Sequence, residues 1–387
     1  MPETIGSIIE TNSIYLPVNT DFIRKPPRPA EDQQPNYLER FDFHGIFSDV
    51  FSYEGSVIAV GPPYLNLRNL LDDSQFFVNG ATHIEHEAVQ FDELDRTSRT
   101  TFNLPSSGNS ITTAEILTLK CNTLELQCKV GKNHHQVFAG RNVLLTMNRD
   151  NSLENIVDWV TINVVANEID AVVIYDNRSE LYSKSELLQA IANVPGVEVA
   201  YVVDWPHPYG PTAYRKQLWD SDFGQYTAWE HARWRFLSRA NSVTPCDVDE
   251  IPLTEDGSPC WHHAHQSNDG VFYYRMRDIE PAPLDTLTSS RVRRHSDYRF
   301  YNPDKVGSFK YTYVPSRLTS NQQALVHKVS DTEVPNHQLG FTRHFRGLHR
   351  QWRAGIEDYT FDELEIDDSF AKDIVLSEAL KKVSERG

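Results

Sequence analysis

Short apolar runs alternate with amphipathic segments in the middle of the chain. Three runs, VLLTM (143–147), AVVIYDN (171–177) and VEVAYVV (197–203), have the length and composition of strands buried in a parallel sheet. The segments after the first two runs carry apolar residues at helical spacing, and a long aromatic-rich helix is predicted over 223–241. This alternation predicts an α/β fold with a Rossmann-like, mostly parallel sheet and right-handed crossovers.

The preceding part of the chain has a different pattern. A proline-rich polar segment, RKPPRPAEDQQPN (24–36), comes before short β-prone runs such as VFSYEGSVIAV (50–60) and ILTLKCNTLELQCKV (116–130). We therefore predict three parts: a β-rich N-terminal domain or extension over 1–140, an α/β domain over 141–355, and an acidic helical tail over 356–387 that is accessory to any site.

Composition narrows the class of protein. A length of 387 residues is typical of one large or two average domains, and a net charge of −17 disfavours nucleic acid as a partner. No run reaches the roughly 20 apolar residues that cross a bilayer, and the N-terminus lacks signal-peptide features. Four cysteines lack metal-type spacing. We expect a cytoplasmic protein; peripheral membrane contact and oligomeric state stay open.

Polar clusters stand where the predicted strands end. They are Asn148 with Asp150, Asp176 with Asn177, and the run Asp247-Val248-Asp249-Glu250. Because ligands bind outside the carboxyl ends of strands in such sheets, we expect these clusters at one ligand-binding edge. A D-x-D pair there suits Mg²⁺ or Mn²⁺, which bind oxygen ligands supplied partly by protein carboxylates and partly by substrate phosphates. An acidic surface turn gives the same pattern by chance, so the position after a strand is what favours a site.

Positive charge is concentrated near the other end of the α/β region. Residues 291–353 contain twelve Lys or Arg against four Asp or Glu, a local excess of eight positive charges. Two interpretations fit this segment. It is either a solvated basic face, or a pocket for a phosphorylated ligand opposite the D-x-D pair.

The segment NVLLTMNRDNSLENIVDWVTINVVANEIDAVVIYDNRS (142–179) resembles the opening of a GT-A glycosyltransferase, with most similarity to glycosyltransferase family 92. YDNRS matches a family signature, Gln225 in FGQYTAWEHARW stands before the D-x-D pair as in the family, and FKYTYVPSRLTSNQQALVHKV (309–329) and HFRGLHRQW (344–352) resemble later segments. The resemblance covers about residues 140 to 353.

Two features depart from that family pattern. Thr244 and Pro245 interrupt the apolar run before the D-x-D pair, so we predict that this strand is short, bulged or at a sheet edge. Ile251 stands where the family has phenylalanine.

The resemblance implies a metal-dependent, inverting transfer of a hexose from a nucleotide diphosphate sugar, with UDP-sugars expected, to a glycan acceptor. It implies Mn²⁺ or Mg²⁺ held by Asp247 and Asp249, with His327 or His344 completing the site. Donor contacts are expected from Asn148, Asp150, Asp176, Asn177, Gln225, Asp247, Arg343 and Arg346. An inverting reaction also needs a general base, and Asp269 and Asp278 are the two candidates.

Two other functions are compatible with parts of the pattern. A sugar nucleotidyltransferase would have a glycine-rich loop after its first strand, whereas TMNRDNS contains no glycine. A non-catalytic carbohydrate-binding or assembly protein would use the β-rich half and bind glycans without metal.

Overall fold

The computed structural model describes residues 4–107, 110–111, 114–213, 218–284, 292–305, 307–335, 339–348 and 362–386. Its strands are β1 (Ile5–Ile9), β2 (Ile14–Tyr15), β3 (Gly45–Phe47), β4 (Asp49–Tyr53), β5 (Ser56–Gly61), β6 (Gln75–Val78), β7 (Thr82–Ile84), β8 (Val89–Leu94), β9 (Thr97–Asn103), β10 (Ser106–Ser107), β11 (Ser110–Ile111), β12 (Ile116–Cys121), β13 (Leu124–Lys129), β14 (Asn142–Asn148), β15 (Ala171–Asp176), β16 (Val199–Asp204), β17 (Ser242–Pro245), β18 (Glu250–Thr254), β19 (Val271–Ile279), β20 (Phe300–Tyr301), β21 (Phe309–Tyr313), β22 (Gly340–Phe345) and β23 (Ala371–Lys372). Its α-helices are α1 (Tyr37–Arg40), α2 (Arg68–Asp72), α3 (Leu153–Asn167), α4 (Lys184–Ala192), α5 (Phe223–Ala232), α6 (Cys260–Gln266) and α7 (Ile374–Arg386).

The largest sheet of the described residues has eleven strands, and its main path runs β1-β16-β15-β14-β17-β21-β19-β20-β23. The half from β1 to β17 is parallel. Beyond β17 the neighbours are antiparallel, except that β22 lies parallel to β19 and pairs on its other side with β18. The predicted mixed α/β fold with a parallel central region is therefore confirmed, and this region is consistent with a Rossmann-like sheet.

The parallel strands are buried on both faces because alternate side chains enter two different apolar clusters. Leu144 of β14 packs with α3 and α4, whereas Val143 and Leu145 pack with α5. Such strands are continuously apolar in sequence, which is why the pattern identified them. Helix α7 also belongs to this core, since Leu376 and Leu380 lie buried in the cluster with α3. Within the predicted tail, the described helix is α7, and it packs on the sheet.

Strand β17 fits one of the three predicted alternatives. It is short, as Pro245 suggested, but it lies in the centre of the sheet between β14 and β21 and not at an edge. Proline is tolerated there because it is the last residue of the strand, and pairing with β21 is confined to Val243. The missing N–H of Pro245 therefore removes no bond from that ladder.

The predicted boundary at residue 140 is not a clean division. Strand β1 lies parallel to β16, with Ile5 opposite Val199, and so forms the edge of the α/β sheet. The rest of the N-terminal region is β-rich as expected. It contains two four-stranded sheets, β4-β5-β9-β8 and β13-β12-β6-β7, among the residues described.

A buried polar network joins this β-rich region to α5. Asp49 Oδ2 lies 2.6 Å from His231 Nε2 and also accepts from Arg235, while Tyr175 Oη lies 2.7 Å from His231 Nδ1. Nearby, His207 is buried with its Nδ1 2.6 Å from the Tyr15 hydroxyl. Because buried polar groups are costly unless they are paired, this network fixes how the two regions meet.

The neutral state of His207 predicts an acid dependence of stability. Burial lowers the pKa of His207 to about 3, whereas an unfolded histidine titrates near 6.5. Below about pH 6.5 the unfolded chain binds a proton that the folded chain does not, so His207 lowers the free energy of unfolding by up to about 1.4 kcal/mol per pH unit. In urea unfolding at pH 7.5, 6 and 5, His207→Gln should show a shallower decline than the unmodified chain. An identical decline would contradict this assignment.

Candidate active site

The D-x-D pair lies in a tight turn at the carboxyl end of β17. Glu250 N donates to the Asp247 carbonyl at 2.9 Å, and Asp247 N donates to Glu250 Oε2 at 3.0 Å, so this β-turn is closed by two hydrogen bonds. Val248 is buried, and its carbonyl accepts from His295 Nε2 at 2.9 Å. The turn is therefore anchored in the core and holds both aspartates at the side of the sheet where the parallel strands have their carboxyl ends.

His344 lies between two carboxylates beside this turn. Strand β22 places it opposite Glu250 of β18 and next to Asp278 of β19. His344 Nδ1 is 2.8 Å from Asp278 Oδ1, and its Nε2 is 3.4 Å from Asp249 Oδ2. The Phe345 amide also donates to the Asp249 carbonyl at 2.8 Å. The structure thus brings together three residues that the sequence placed in two different roles.

The charges of this trio support one another. Burial disfavours the imidazolium of His344, but the charge of Asp249 and the hydrogen bonds that the ring donates to both carboxylates outweigh it and raise the pKa of His344 to about 10. Burial also opposes ionisation of Asp278, yet the hydrogen bond from His344 and the charges of His344 and Arg346 hold its pKa below the usual value. His344 could therefore ligate a metal ion through Nε2 only after releasing the proton that faces Asp249, while Asp278 orients the ring through Nδ1.

A second polar group surrounds Asp247. Gln225 of α5 donates from Nε2 to Asp247 Oδ1 at 3.3 Å, a contact that the sequence did not predict. On the other side, Lys310 Nζ is 3.3 Å from Asp247 Oδ2 and 3.1 Å from Glu250 Oε2. Burial is the main cause that raises the pKa of Glu250 to about 7, although the charge of Lys310 opposes the shift. Within the D-x-D pair, Asp247 thus contacts Gln225 and Lys310, whereas Asp249 contacts His344.

The loops after β14 and β15 lie at the same edge. Asn148 is paired in register with Asp176, and its Nδ2 donates to Asp176 Oδ1 at 3.2 Å and to the Tyr182 hydroxyl at 2.9 Å. Asp150 Oδ1 accepts from the amides of 180 and 181, and Asn177 Nδ2 donates to the carbonyls of 205 and 207. Burial raises the pKa of Asp176. These side chains shape the loops, and their contacts with a donor stay predictions.

Arg343 does not face this site, contrary to expectation. It is fully buried, and its guanidinium bonds to Asp373 at 3.0 Å, Glu255 at 3.2 Å and the Leu253 carbonyl at 2.7 Å. The reason is the alternation of side chains along β22, which turns His344 and Arg343 to opposite faces. Arg346 lies just after β22 with its Nε 3.9 Å from Asp278 Oδ2, so it remains a candidate for donor binding.

The two candidates for the general base lie far apart. Asp278 is beside His344, but Asp269 precedes the first residue of β19, and its Oδ1 accepts from Val271 N at 3.2 Å. Val271 pairs with Tyr313 at the amino end of the parallel strands. About 23 Å of extended strand separate Val271 from Asp278. Asp269 therefore lies at the wrong edge to act on a ligand at the D-x-D turn.

His327, the other candidate metal ligand, is exposed and not enclosed by its apolar neighbours in sequence. Its Nδ1 donates to the Phe309 carbonyl at 3.0 Å, next to Lys310 on β21. Within the described residues no group of three or more His, Cys, Asp or Glu side chains is arranged to hold a metal ion. Any ion at this edge would therefore rely on few protein ligands.

The basic segment is largely divided among ion pairs with other parts of the chain. Lys305 pairs with Glu280 at 2.5 Å, and Arg294 pairs with Asp158. Together with Lys310 and Arg343, these cations are directed to different carboxylates. These four cations thus do not converge on one pocket, and a phosphate-binding role for the rest of the segment stays a prediction.

Comparison with known proteins gives little further information. No protein family and no curated protein matches this chain. A solved structure described as the apo form of the WbbM bifunctional glycosyltransferase is similar to 41% of this chain, with 13% identity and a TM-score of 0.24; the aligned region spans 28% of that protein. Among the described helices, none combines the length and apolar character required to cross a bilayer.

Proposed function

We propose that this chain is a metal-dependent glycosyltransferase of the GT-A type, which moves a hexose from a nucleotide diphosphate sugar to a glycan. The observation that carries the proposal is the trio Asp249, His344 and Asp278 at the carboxyl end of β17, where sheets of this kind bind ligands. The family resemblance of the sequence supports the same reaction. It is also the basis for proposing a UDP-sugar donor and inversion at the anomeric carbon.

The side chains present fit a divalent ion that is bound partly by the protein and partly by the substrate. Asp249 and His344 would hold Mn²⁺ or Mg²⁺, and Asp278 would orient the His344 ring. A site with few protein ligands suits these ions, since substrate phosphates and water usually supply the other oxygens. When bound, the ion would neutralise the charge of the diphosphate leaving group.

The other residues at this edge would position the donor. Gln225 lies against Asp247, and the loops that contain Asn148 and Asp176 lie at the same edge. Arg346 is partly exposed and close enough to Asp278 to contribute a positive charge near the diphosphate. Of the two base candidates, Asp278 is the one at this edge, but its bond to His344 favours an orienting role.

Hydrolysis of nucleotide sugars in the absence of an acceptor tests this proposal. A panel of UDP-, GDP- and dTDP-hexoses is incubated with the full chain and Mn²⁺, and the released nucleoside diphosphate is measured. We expect slow hydrolysis of a UDP-hexose that EDTA abolishes and added Mn²⁺ restores. A nucleotidyltransferase would instead release pyrophosphate from a nucleoside triphosphate and a sugar phosphate. Metal-independent glycan binding without turnover of any donor would refute the proposal.

A further inference from the structure

Lys310 is a buried cation inside the acidic turn. It is only 2% exposed and comes from β21, the antiparallel neighbour of β17. Its Nζ reaches Asp247 Oδ2 at 3.3 Å and Glu250 Oε2 at 3.1 Å. A lysine this buried is stable as an ammonium only where carboxylates compensate its charge. Asp247 and Glu250 therefore neutralise the ammonium of Lys310 and, through these ion pairs, also stabilise the turn.

The turn is divided into two electrostatic halves. Asp247 and Glu250 share the ammonium of Lys310, whereas Asp249 faces the imidazole of His344. Glu250 is almost wholly buried, and its Oε2 also accepts the Asp247 amide. A divalent ion ligated by Asp247 would have to compete with Lys310 and would lie close to its positive charge. Coulomb repulsion at this range opposes such binding.

We propose that Lys310 is a positioning residue: its ammonium stays paired with Asp247 and Glu250, so that Asp249 of the turn and His344 of β22 are the side chains that bind the ion, among the residues described. This inference rests on the proposed function, because it concerns the ion that the transfer reaction would use. Asp247 then serves to orient Gln225, because its Oδ1 accepts a hydrogen bond from Gln225 Nε2 at 3.3 Å. The D-x-D pair thus has one metal-binding member and one structural member.

Binding of Mn²⁺ to the full chain without donor tests the division. Calorimetry and the electron paramagnetic resonance of free Mn²⁺ would compare the unmodified chain with Asp249→Asn, Asp247→Asn, Lys310→Arg and Lys310→Met. Lys305→Met is the matched control, since it removes a lysine that pairs with Glu280 outside the turn. Expected affinities are at least about tenfold weaker for Asp249→Asn and within about threefold for Asp247→Asn and Lys310→Arg.

Lys310→Met should bind Mn²⁺ about tenfold more tightly, because a nearby positive charge is lost. If this variant does not fold, Lys310→Met combined with Glu250→Gln removes both members of the buried pair and is expected to show tighter binding as well. An equal loss of affinity in Asp247→Asn and Asp249→Asn would overturn the inference while leaving the proposed transfer intact. Absence of Mn²⁺ binding and of donor hydrolysis in the unmodified chain would overturn both.

Discussion

Replacing Asp249 with asparagine is expected to lower metal-dependent hydrolysis of the donor by about 10²- to 10³-fold. The amide keeps the size of the side chain but removes the negative charge that faces His344 and would hold the ion. The backbone of residue 249 stays in place, because its carbonyl accepts from Phe345 N and its turn is closed through Asp247 and Glu250. The loss should therefore be one of metal-dependent chemistry and not of folding.

The measurement is the initial rate of nucleoside diphosphate release over a range of Mn²⁺ concentrations, with circular dichroism to verify the fold. Asp269→Asn is the matched control, since it makes the same chemical change at the other end of β19. Its rate should stay within about twofold of the unmodified chain, as is usual for a substitution remote from a site. A fully active Asp249→Asn variant would remove this residue from the proposed mechanism.

Replacing Arg343 with methionine is expected to lower the free energy of unfolding by about 3 kcal/mol or more. The substitution leaves the buried carboxylate of Asp373 with one cationic partner fewer and removes the hydrogen bond from Arg343 to the Leu253 carbonyl. Arg277 still pairs with Asp373 at 2.9 Å, which limits the loss. Because the guanidinium points away from the D-x-D turn, the effect should appear in stability rather than in the affinity for Mn²⁺.

Urea unfolding followed by circular dichroism measures this effect, with Arg346→Met as the control. Arg346 is partly exposed and 3.9 Å from Asp278, so its removal should cost no more than about 1 kcal/mol. In the double variant Arg343→Met with Asp373→Asn, the two losses should not add, since the residues form a pair. Additive losses, or a cost below that of Arg346→Met, would show that the buried ion pair is not what holds β22.

The sequence predicted the parallel part of the sheet because that part depends on local pattern. Strands that are buried on both faces are continuously apolar, and the helices between them repeat apolar residues at helical spacing. The pairing of strands that are distant in sequence leaves no such pattern in the chain. Nothing local to IGSII indicates that β1 pairs with β16, or that β17 lies at the centre of the sheet despite Pro245.

The site was predictable to the extent that it depends on residues next to predicted strand ends. Asp249 lies beside His344, two residues that the resemblance assigned to one metal site, whereas the contact between Asp247 and Gln225 was not predicted. The choice between Asp269 and Asp278 as the base required the direction of β19. The exclusion of Arg343 from the site required knowing which face of β22 its side chain occupies. Lys310 was overlooked, although a lone lysine in the apolar strand FKYTYV signals a buried cation that needs carboxylate partners.

The link between Arg343 and Asp373 has a consequence for how the protein is made. Asp373 also accepts the Leu376 amide at 2.9 Å in the first turn of α7, so one carboxylate secures both that helix and the strand that carries His344. On the ribosome, a nascent chain that has not yet released residue 373 from the exit tunnel cannot lock β22 in place. Packing of β22 into the sheet is therefore expected only after residue 373 has emerged, and not strand by strand as each one is translated.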